Sequence, residues 1–425
     1  MKNLWAFLLF MALSLSVSGQ KTMILCGKIF DSKEGKLLSN QTIIVEGERI
    51  VDIQNGFKSP AQPDVLIDLS QQTVLPGFID MHVHIEHESN SASYRKRFVD
   101  NEADIAFESA VFAQRTLDAG FTTVRDLGGT GVNVSLRNAI NAGKIKGPRI
   151  YTAEKALAST GGHADPTNGM RKNLVGDPGP KQGVVNSIED AFKAVRQRYK
   201  NGADCIKITA TGGVLSVAKN GQNPQFSVEE IRAIVQTAND YEMHVAAHAH
   251  GDEGMYRAVQ AGVKTIEHGT LMQERTMDLM IEKEAYLVPT LTAGKQVAEK
   301  AAIKGYFPAV IVPKALAIGP QIQKTFAKAY KRGVPIAFGT DAGVFPHGLN
   351  AKEFGYMVEA GMPASVALQT ATVVNAQLLK QQDNLGQLAS GFYADIVAVN
   401  GNPLQDISTL EKVVFVMKNG EVIKR

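Results

Sequence analysis

The stretch "LPGFIDMHVHIEH", residues 75–87, begins as an apolar run and ends in three histidines, His82, His84 and His87. The whole chain has only nine histidines, so imidazole groups are concentrated here. Alternate residues of a β-strand point to the same face of a sheet. We therefore expect His82 and His84 to face one ion together. His87 is expected to follow the strand, in a loop at the rim of a site.

Seven more strand-like runs follow the first one, and helix-like segments such as "SIEDAFKAVRQRYKN" and "SVEEIRAIVQTANDY" intervene. The eight runs are "GFIDMHVH", "FTTVRD", "RIYTA", "CIKITA", "HVAAHAH", "VKTIEH", "YLVPT" and "PIAFGTD". Alternating strands and helices are typical of a parallel sheet with crossover helices, the α/β class. Eight such units predict a (β/α)8 TIM-like barrel over residues 76–383. An open doubly wound sheet is the alternative, but its Gly-rich nucleotide-binding fingerprint is absent.

Both ends of the chain have a different pattern. Residues 20–75 and 384–425 contain short β-rich runs separated by turn residues, for example "QTIIVEGERIVDI" and "VVFVMKNGEVIK". We predict that the two ends pair into one small β-sandwich beside the barrel. That domain would then be interrupted in sequence by the barrel.

The first residues, "MKNLWAFLLFMALSLSVSGQ", have an early lysine, an apolar run and then small residues. That order predicts a secretory signal over residues 1–19 and a bacterial protein that is periplasmic or secreted. An uncleaved anchor is the alternative. The apolar run is too short for a typical spanning helix, and no later segment is expected to span a membrane.

The composition limits the classes of function. Hydrophobic residues make up 44% and charged residues 20% of the chain, which fits a globular protein. The net charge of +3 is small, and no basic stripe with interleaved aromatic residues is present, so nucleic-acid binding is not expected. Two cysteines, Cys26 and Cys205, do not make a disulfide framework.

Polar residues cluster at the ends of four predicted strands. They are His82 and His84 in the first, His248 and His250 in the fifth, His268 in the sixth and Asp341 in the eighth. In a (β/α)8 barrel, the carboxyl ends of the strands carry the active site. Imidazole and carboxylate groups are ligands of divalent metal ions. The pattern therefore predicts a metal site, although spacing alone does not choose between His248 and His250.

Lys207 lies between Ile206 and Ile208 in an otherwise apolar strand. A buried ammonium group without a partner is costly, and metal cations would repel it. Three alternatives remain open from the strand alone: a neutral amine, a salt bridge with an acid, or addition of carbon dioxide to the neutral amine. The last would give a carbamate, whose carboxylate-like oxygens could bridge two metal ions.

The motifs "PGFIDMHVH" and "FGTDAG", the strand-four lysine and the histidines of strands five and six together resemble the amidohydrolase superfamily. The motifs "TTVRDLGG", "TGGHADP", "KITATGGVLS", "AAHAHG" and "IEHGT" resemble its imidazolonepropionase-related group. That group includes Xaa-Pro dipeptidases and carboxypeptidases that release Arg or Lys. The motifs "GGHADPTNGM", "GDPGPKQGVVNS" and "YMVEAGMPA" resemble bacterial amidohydrolases of ochratoxin A.

The resemblance implies a site with two divalent metal ions, usually Zn2+, with manganese or cobalt as alternatives. The ligands of the first ion would be His82, His84, carboxylated Lys207 and Asp341. The second ion would take the same carbamate with His248 and His268. A hydroxide between the ions would attack the scissile carbonyl, and Asp341 would pass its proton to the leaving nitrogen.

The implied substrates are dipeptides or N-acyl amino acids, including amides of the ochratoxin type. Two alternatives remain: hydrolysis of a cyclic amide, as in imidazolonepropionase, and a non-catalytic barrel used for binding or assembly. The second is disfavoured because every expected ligand position is filled. The resemblance also implies a homo-oligomer of unspecified size.

Three further histidines are predicted to bind substrate: His163, His250 and His347. The resemblance favours His248 as the ligand and so leaves His250 at the lip. His163 and His347 belong to predicted loops at the mouth of the barrel, where a solvated histidine is the alternative. His244 begins the fifth strand, at the opposite end of the barrel, and is expected to be structural. Asp126 is expected to form either a hydrogen bond that supports the site or a salt bridge.

Overall fold

The computed structural model describes residues 20–60, 65–90, 92–216 and 220–425. The predicted export signal, residues 1–19, lies outside the described residues. Among the helices of the described ranges, none is both long and apolar enough to cross a membrane.

The strands fall into two groups, one at the chain ends and one in the middle. They are β1 Lys21–Asp31, β2 Lys36–Glu46, β3 Arg49–Asn55, β4 Val65–Pro76, β5 Phe78–Val83, β6 Phe121–Asp126, β7 Arg149–Thr152, β8 Ile206–Thr209, β9 Val245–Ala249, β10 Thr265–His268, β11 Tyr286–Val288, β12 Ile396–Asn400, β13 Val413–Lys418 and β14 Glu421–Lys424.

The α-helices lie between β5 and β12. They are α1 Ser93–Val99, α2 Glu102–Asp118, α3 Val132–Asn141, α4 Lys172–Val175, α5 Ile188–Asn201, α6 Val228–Asp240, α7 Asp252–Gln260, α8 Glu274–Glu282, α9 Leu291–Ala301, α10 Val312–Arg332, α11 Lys352–Glu359, α12 Ala364–Gln369 and α13 Asn375–Leu378. A π-helical turn joins α12 to α13.

Strands from the two chain ends share one seven-stranded sheet, in the order β14-β13-β12-β4-β1-β2-β3. The join is the antiparallel pairing of β12 with the end of β4. Buried apolar side chains of both chain ends, such as Ile24, Ile43 and Phe415, pack in one cluster. The sequence therefore predicted correctly that these two ends pair; they share one sheet, and their arrangement as a two-layered β-sandwich stays a prediction.

The strands between the chain ends are parallel and form two sheets, β5-β6-β7 and β11-β10-β9-β8. Leu157, which follows β7, connects the sheets on one side, because its N–H donates to the Lys207 carbonyl oxygen at 2.8 Å. Residues 335–342 connect them on the other side. The Ala337 N–H donates to the Leu287 carbonyl oxygen of β11 at 3.0 Å, and the Met81 N–H of β5 donates to the Phe338 carbonyl oxygen at 3.0 Å.

The eighth predicted strand, residues 335–341, is not a continuous strand. It makes isolated bridges at Ile336 and, just beyond, at Ala342. Pro335 has no N–H to donate, and the Thr340 N–H is shared between the carboxylate of Asp80 at 3.1 Å and the carbonyl oxygen of His82 at 3.3 Å.

Helices α5 and α6 begin at serine residues, which are strong N-capping residues. Ser187 Oγ accepts the Asp190 N–H at the start of α5, and Ser227 forms a capping box with Glu230 at the start of α6.

The long helix α10 packs closely on α9. A Cβ added to Gly294 of α9 would lie 2.8 Å from Ile322 Cγ2 of α10, so this approach requires glycine.

Candidate metal centre and active-site cavity

A cavity of about 250 Å3 lies at the carboxyl ends of the parallel strands. Its lining includes Lys207, Asp341 and most of the histidines of the chain, namely His82, His84, His87, His163, His248, His250 and His268. Side chains that are scattered over more than 250 residues of sequence therefore meet at one place, because parallel strands end at the same edge.

One group of potential metal ligands consists of His82, His268 and Asp341, whose ligand atoms lie within 4.8 Å of one another. Asp341 Oδ1 is 3.5 Å from Nε2 of His82 and 3.5 Å from Nε2 of His84. That oxygen is buried and has no hydrogen-bond partner. Buried carboxylate oxygens are normally paired, so this one fits a metal ligand.

His82 and His84 are each oriented by a hydrogen bond at Nδ1. His82 Nδ1 is 2.8 Å from Oε2 of Glu267, and His84 Nδ1 donates to the carbonyl oxygen of Gly128 at 2.7 Å. When Nδ1 carries the proton, Nε2 is left as the lone-pair atom. Both Nε2 atoms point toward Asp341, as metal-ligating histidines require.

A second group consists of His248, His250 and His268, again within 4.8 Å. His248 Nε2 donates to the Gly212 carbonyl oxygen at 3.2 Å, which leaves Nδ1 as its free ligand atom. The other two use Nδ1 toward hydroxyl groups, His268 toward Thr290 at 2.7 Å and His250 toward Thr270 at 2.8 Å. Both His248 and His250 reach the cavity, so the choice between them as ligand stays a prediction.

Three non-glycine residues at the site have left-handed backbone conformations. The φ angles are +73° at His268, +52° at Thr290 and +61° at Asp341. Such residues cost free energy and tend to occur at functional sites. The turn at Thr290 is held by buried Glu353, whose carboxylate accepts the backbone N–H groups of Leu291 and Thr292, each at 2.8 Å. Glu353 therefore supports the hydroxyl that orients His268.

Lys207 is buried, and its Nζ lies 3.3 Å from His82 Nε2. Burial lowers the pKa of Lys207 to about 8, against the opposing charges of Glu267 and Asp341. Glu267 is already engaged by His82 and by Arg125. The lowered pKa makes the neutral amine accessible near neutral pH, and the neutral amine is the form that adds carbon dioxide.

Two residues orient this cluster, and their pairing with each other was not predicted from the sequence. Glu267 and Arg125 are both fully buried, and Arg125 Nη2 donates to Glu267 Oε1 at 3.0 Å. Arg125 also donates through Nε to the Met81 carbonyl oxygen at 2.7 Å, and its Nη1 lies 2.9 Å from His244 Nε2. His244 thus has the structural role expected of it. The signal in the sequence was a charged residue within a strand-like run that is otherwise mostly uncharged. These residues are Arg125 in "FTTVRD" and Glu267 in "VKTIEH".

Asp126 forms hydrogen bonds, the first of the two predicted alternatives. Its carboxylate accepts from the backbone N–H of Ile85 at 2.8 Å and of Gly128 at 3.1 Å, and from Asn133 Nδ2 at 2.9 Å. The neighbouring Arg125 instead pairs with Glu267. Asp126 therefore orders the turn whose carbonyl oxygen at Gly128 holds His84.

The sequence matches the amidohydrolase family over residues 73–423. This chain belongs to the amidohydrolase family. It is 30% identical over 438 residues to an ochratoxinase from Aspergillus niger, covering 96% of this chain and 88% of that one. The solved structure of a Xaa-Pro dipeptidase with methionine in its active site is 53% identical, with a TM-score of 0.93, covering 96% of this chain and all of that one (100%).

A solved prolidase complexed with N-methylphosphonate-L-proline is also similar, at 34% identity and a TM-score of 0.86, covering 96% of this chain and 100% of that chain. These relatives confirm the family resemblance stated from the motifs. The protein is accordingly a hydrolase that acts on amide bonds.

Two of the predicted substrate-binding histidines face the cavity of this amidohydrolase, His163 and His250. The ring of His163 stacks on that of His248 with centroids 4.4 Å apart. Its Nδ1 is buried and has no hydrogen-bond partner. His87 also lines the cavity, with its ring 5.5 Å from that of His84, which agrees with its expected place at the rim.

His347 is the predicted substrate-binding residue that the structure does not bring to the cavity of this amidohydrolase. Its Nδ1 lies 3.2 Å from Thr116 Oγ1, and its Nε2 lies 3.2 Å from the carbonyl oxygens of His84 and His87. Its ring stacks on Phe112 of α2. The loop after residue 341 folds back against α2. His347 therefore supports the loop that follows β5.

Proposed function

We propose that this amidohydrolase is a metal-dependent hydrolase of dipeptides and N-acyl amino acids, including amides of the ochratoxin type. The observation that carries the proposal is the convergence of histidine and aspartate side chains from four strand ends on one cavity. Similarity to a Xaa-Pro dipeptidase over nearly the whole chain supports the choice of linear amides.

The residues present fit two divalent metal ions, and we propose Zn2+. The buried Asp341 Oδ1, which has no hydrogen-bond partner, and the lone-pair Nε2 atoms of His82 and His84 would hold the first ion. His248 and His268 would hold the second ion. Metal ions bound there would polarise the scissile carbonyl and lower the pKa of a water molecule.

We propose that Lys207 is present as its carbamate, with carbon dioxide bound to Nζ, and that it contributes to both ion sites. Two observations support this. Burial favours the neutral amine, and Glu267, the acid that raises the pKa of Lys207 most, is committed to Arg125 and His82. A carbamate would replace a positive charge by a negative one beside histidines that must remain neutral to act as ligands.

Residues of the chain would carry out proton transfer, bind the substrate and exclude water. Asp341, at the end of the eighth predicted strand, would take a proton from the attacking water and deliver it to the leaving nitrogen, as a general base and then a general acid. His163 and His250 would hydrogen-bond the substrate from the rim. The apolar part of the cavity wall would exclude bulk water from the reacting groups.

The test is a substrate panel on metal-loaded protein, with Xaa-Pro and other dipeptides, N-acyl amino acids that include an aromatic acyl group on phenylalanine, and cyclic amides. The proposal expects hydrolysis of linear amides that carry a free carboxylate on the leaving amino acid. Hydrolysis of cyclic amides alone would contradict it. Stoichiometric metal without hydrolysis of any amide would instead indicate a binding protein.

Several wider expectations remain proposals. We propose that the parallel strands and residues 335–342 close into a (β/α)8 barrel over residues 76–383, with residues 20–75 and 384–425 as the second domain. The hydrogen bonds on both sides of the two parallel sheets support closure. We also propose export with cleavage before Gln20 and assembly into a homo-oligomer. N-terminal sequencing of the mature protein and light scattering would test the last two.

A further inference from the structure

One side of the cavity above the histidines is apolar, and we propose that it binds an apolar side chain of the substrate. This inference rests on the proposed function, because it concerns which amides the same site accepts. The residues that form this surface, here called the helical wall, are Ala293 and Val297 of α9, Ile318 and Ile322 of α10, and Val214 and Leu215 of the loop after β8.

The helical wall is built from matching faces of two helices. Ala293 and Val297 are four residues apart on α9, and Ile318 and Ile322 are four residues apart on α10. Residues at that spacing lie on the same side of a helix. Each helix therefore presents two successive apolar side chains to the cavity, and together they form a continuous surface.

The loop that completes the wall is tied to α10. Lys314 Nζ donates to the carbonyl oxygen of Ser216 at 2.7 Å and of Gly213 at 3.3 Å. Val214 and Val297 pack in one apolar cluster, with Leu215 and Ile318 against it. A binding surface held in this way is preformed, so little ordering cost is expected when a side chain binds.

None of the six side chains of the helical wall is ionisable, and Lys314 beside it donates its Nζ hydrogens to the carbonyl oxygens of Ser216 and Gly213. Among the described lining residues, the ionisable ones are the histidines, Lys207 and Asp341. A cationic substrate side chain against the helical wall would find no carboxylate among the residues of the wall, and an anionic one would have only Lys314, which already donates to two carbonyl oxygens. Burying a charge with so little compensation is costly. An apolar side chain would gain by leaving water. The geometry thus points to side chains such as those of Leu, Met and Phe rather than Lys, Arg, Asp or Glu.

The first test uses two dipeptide series on the metal-loaded full chain, Gly-X and X-Gly, with X as Gly, Leu, Met, Phe, Lys or Glu. In one series, kcat/KM should rise by roughly 10- to 100-fold from Gly to Leu or Met and should fall for Lys and Glu. A flat profile in both series, or a preference for Lys or Glu, would overturn the inference. Hydrolysis of the dipeptides with a flat profile would leave the proposed function intact, whereas no hydrolysis of these dipeptides or of any linear amide in the wider panel would reject both.

The second test changes the wall. Ile318→Asp places a carboxylate on a partly buried position of α10. The value of kcat/KM for the dipeptide with X as Lys, divided by the value for X as Leu, should rise by about tenfold or more. Leu316→Asp is the matched control, because Leu316 lies on the same helix, is 48% exposed and is not among the lining residues. Its ratio should equal that of the parent.

Val297→Ala provides a second variant if thermal melting shows that Ile318→Asp does not fold. It should lower kcat/KM for the Leu substrate by a larger factor than for the Gly substrate. An equal loss for all substrates in a folded variant, or an unchanged ratio in both variants, would overturn the role of the helical wall.

Discussion

Replacing Glu267 by glutamine keeps the shape of the side chain and removes its charge. Glu267 and Arg125 form a buried pair at 3.0 Å, and neither is exposed to solvent (0% for both side chains). The unpaired guanidinium should lower the free energy of unfolding by about 3–5 kcal/mol. The carboxylate 2.8 Å from His82 Nδ1 also disappears. Metal affinity should therefore fall by about 10- to 100-fold, the usual effect of removing such a partner.

Stability and metal binding can be separated with a second variant. Arg125→Met combined with Glu267→Gln removes both charges, so the unfolding free energy measured by denaturant titration should partly recover. Metal affinity, measured by competition with a chromophoric chelator, should not recover, because His82 still lacks its carboxylate. Glu253→Gln on the surface of α7 is the control and should bind metal like the parent. Parental metal affinity in Glu267→Gln, or affinity that recovers with stability in the double variant, would refute this reasoning.

Three further substitutions test individual roles. Lys207→Ala should lose metal and activity, as measured by elemental analysis and hydrolysis, and short carboxylic acids should restore part of both; full metal content would contradict a bridging role. Asp341→Asn should lower kcat by about 10²- to 10⁴-fold, because proton transfer is lost; near-normal turnover with full metal would contradict that. His347→Gln should cost about 1–3 kcal/mol of stability through lost buried hydrogen bonds, with KM unchanged; a raised KM with unchanged melting would instead place His347 on the substrate.

Much of the fold could be predicted because it depends on local signals. The capping residues Ser187 and Ser227 begin α5 and α6, and the apolar runs become the parallel strands. The run at 335–341 was not predictable in the same way. The Thr340 N–H in this run is shared with the carboxylate of Asp80, 260 residues away in sequence. Such a long-range hydrogen bond leaves no periodic trace.

The residues of the candidate site could be found because parallel strands bring their carboxyl ends together. Glu267 could not be predicted in this way because its partners Arg125 and His82 come from two other strands. His347 was placed at the mouth from its position after the eighth run. Its ring turns instead toward Phe112 of α2, a contact that depends on how the loop folds back.

The central claim is that the side chains at the strand ends form a metal-dependent centre for amide hydrolysis. The most direct measurement removes metal from the purified protein with a chelator, restores it in steps of Zn2+, and follows bound metal and dipeptide hydrolysis together. The account predicts that activity disappears with the metal and returns as about two ions per chain are bound. Full hydrolysis by protein shown by elemental analysis to be metal-free would contradict it.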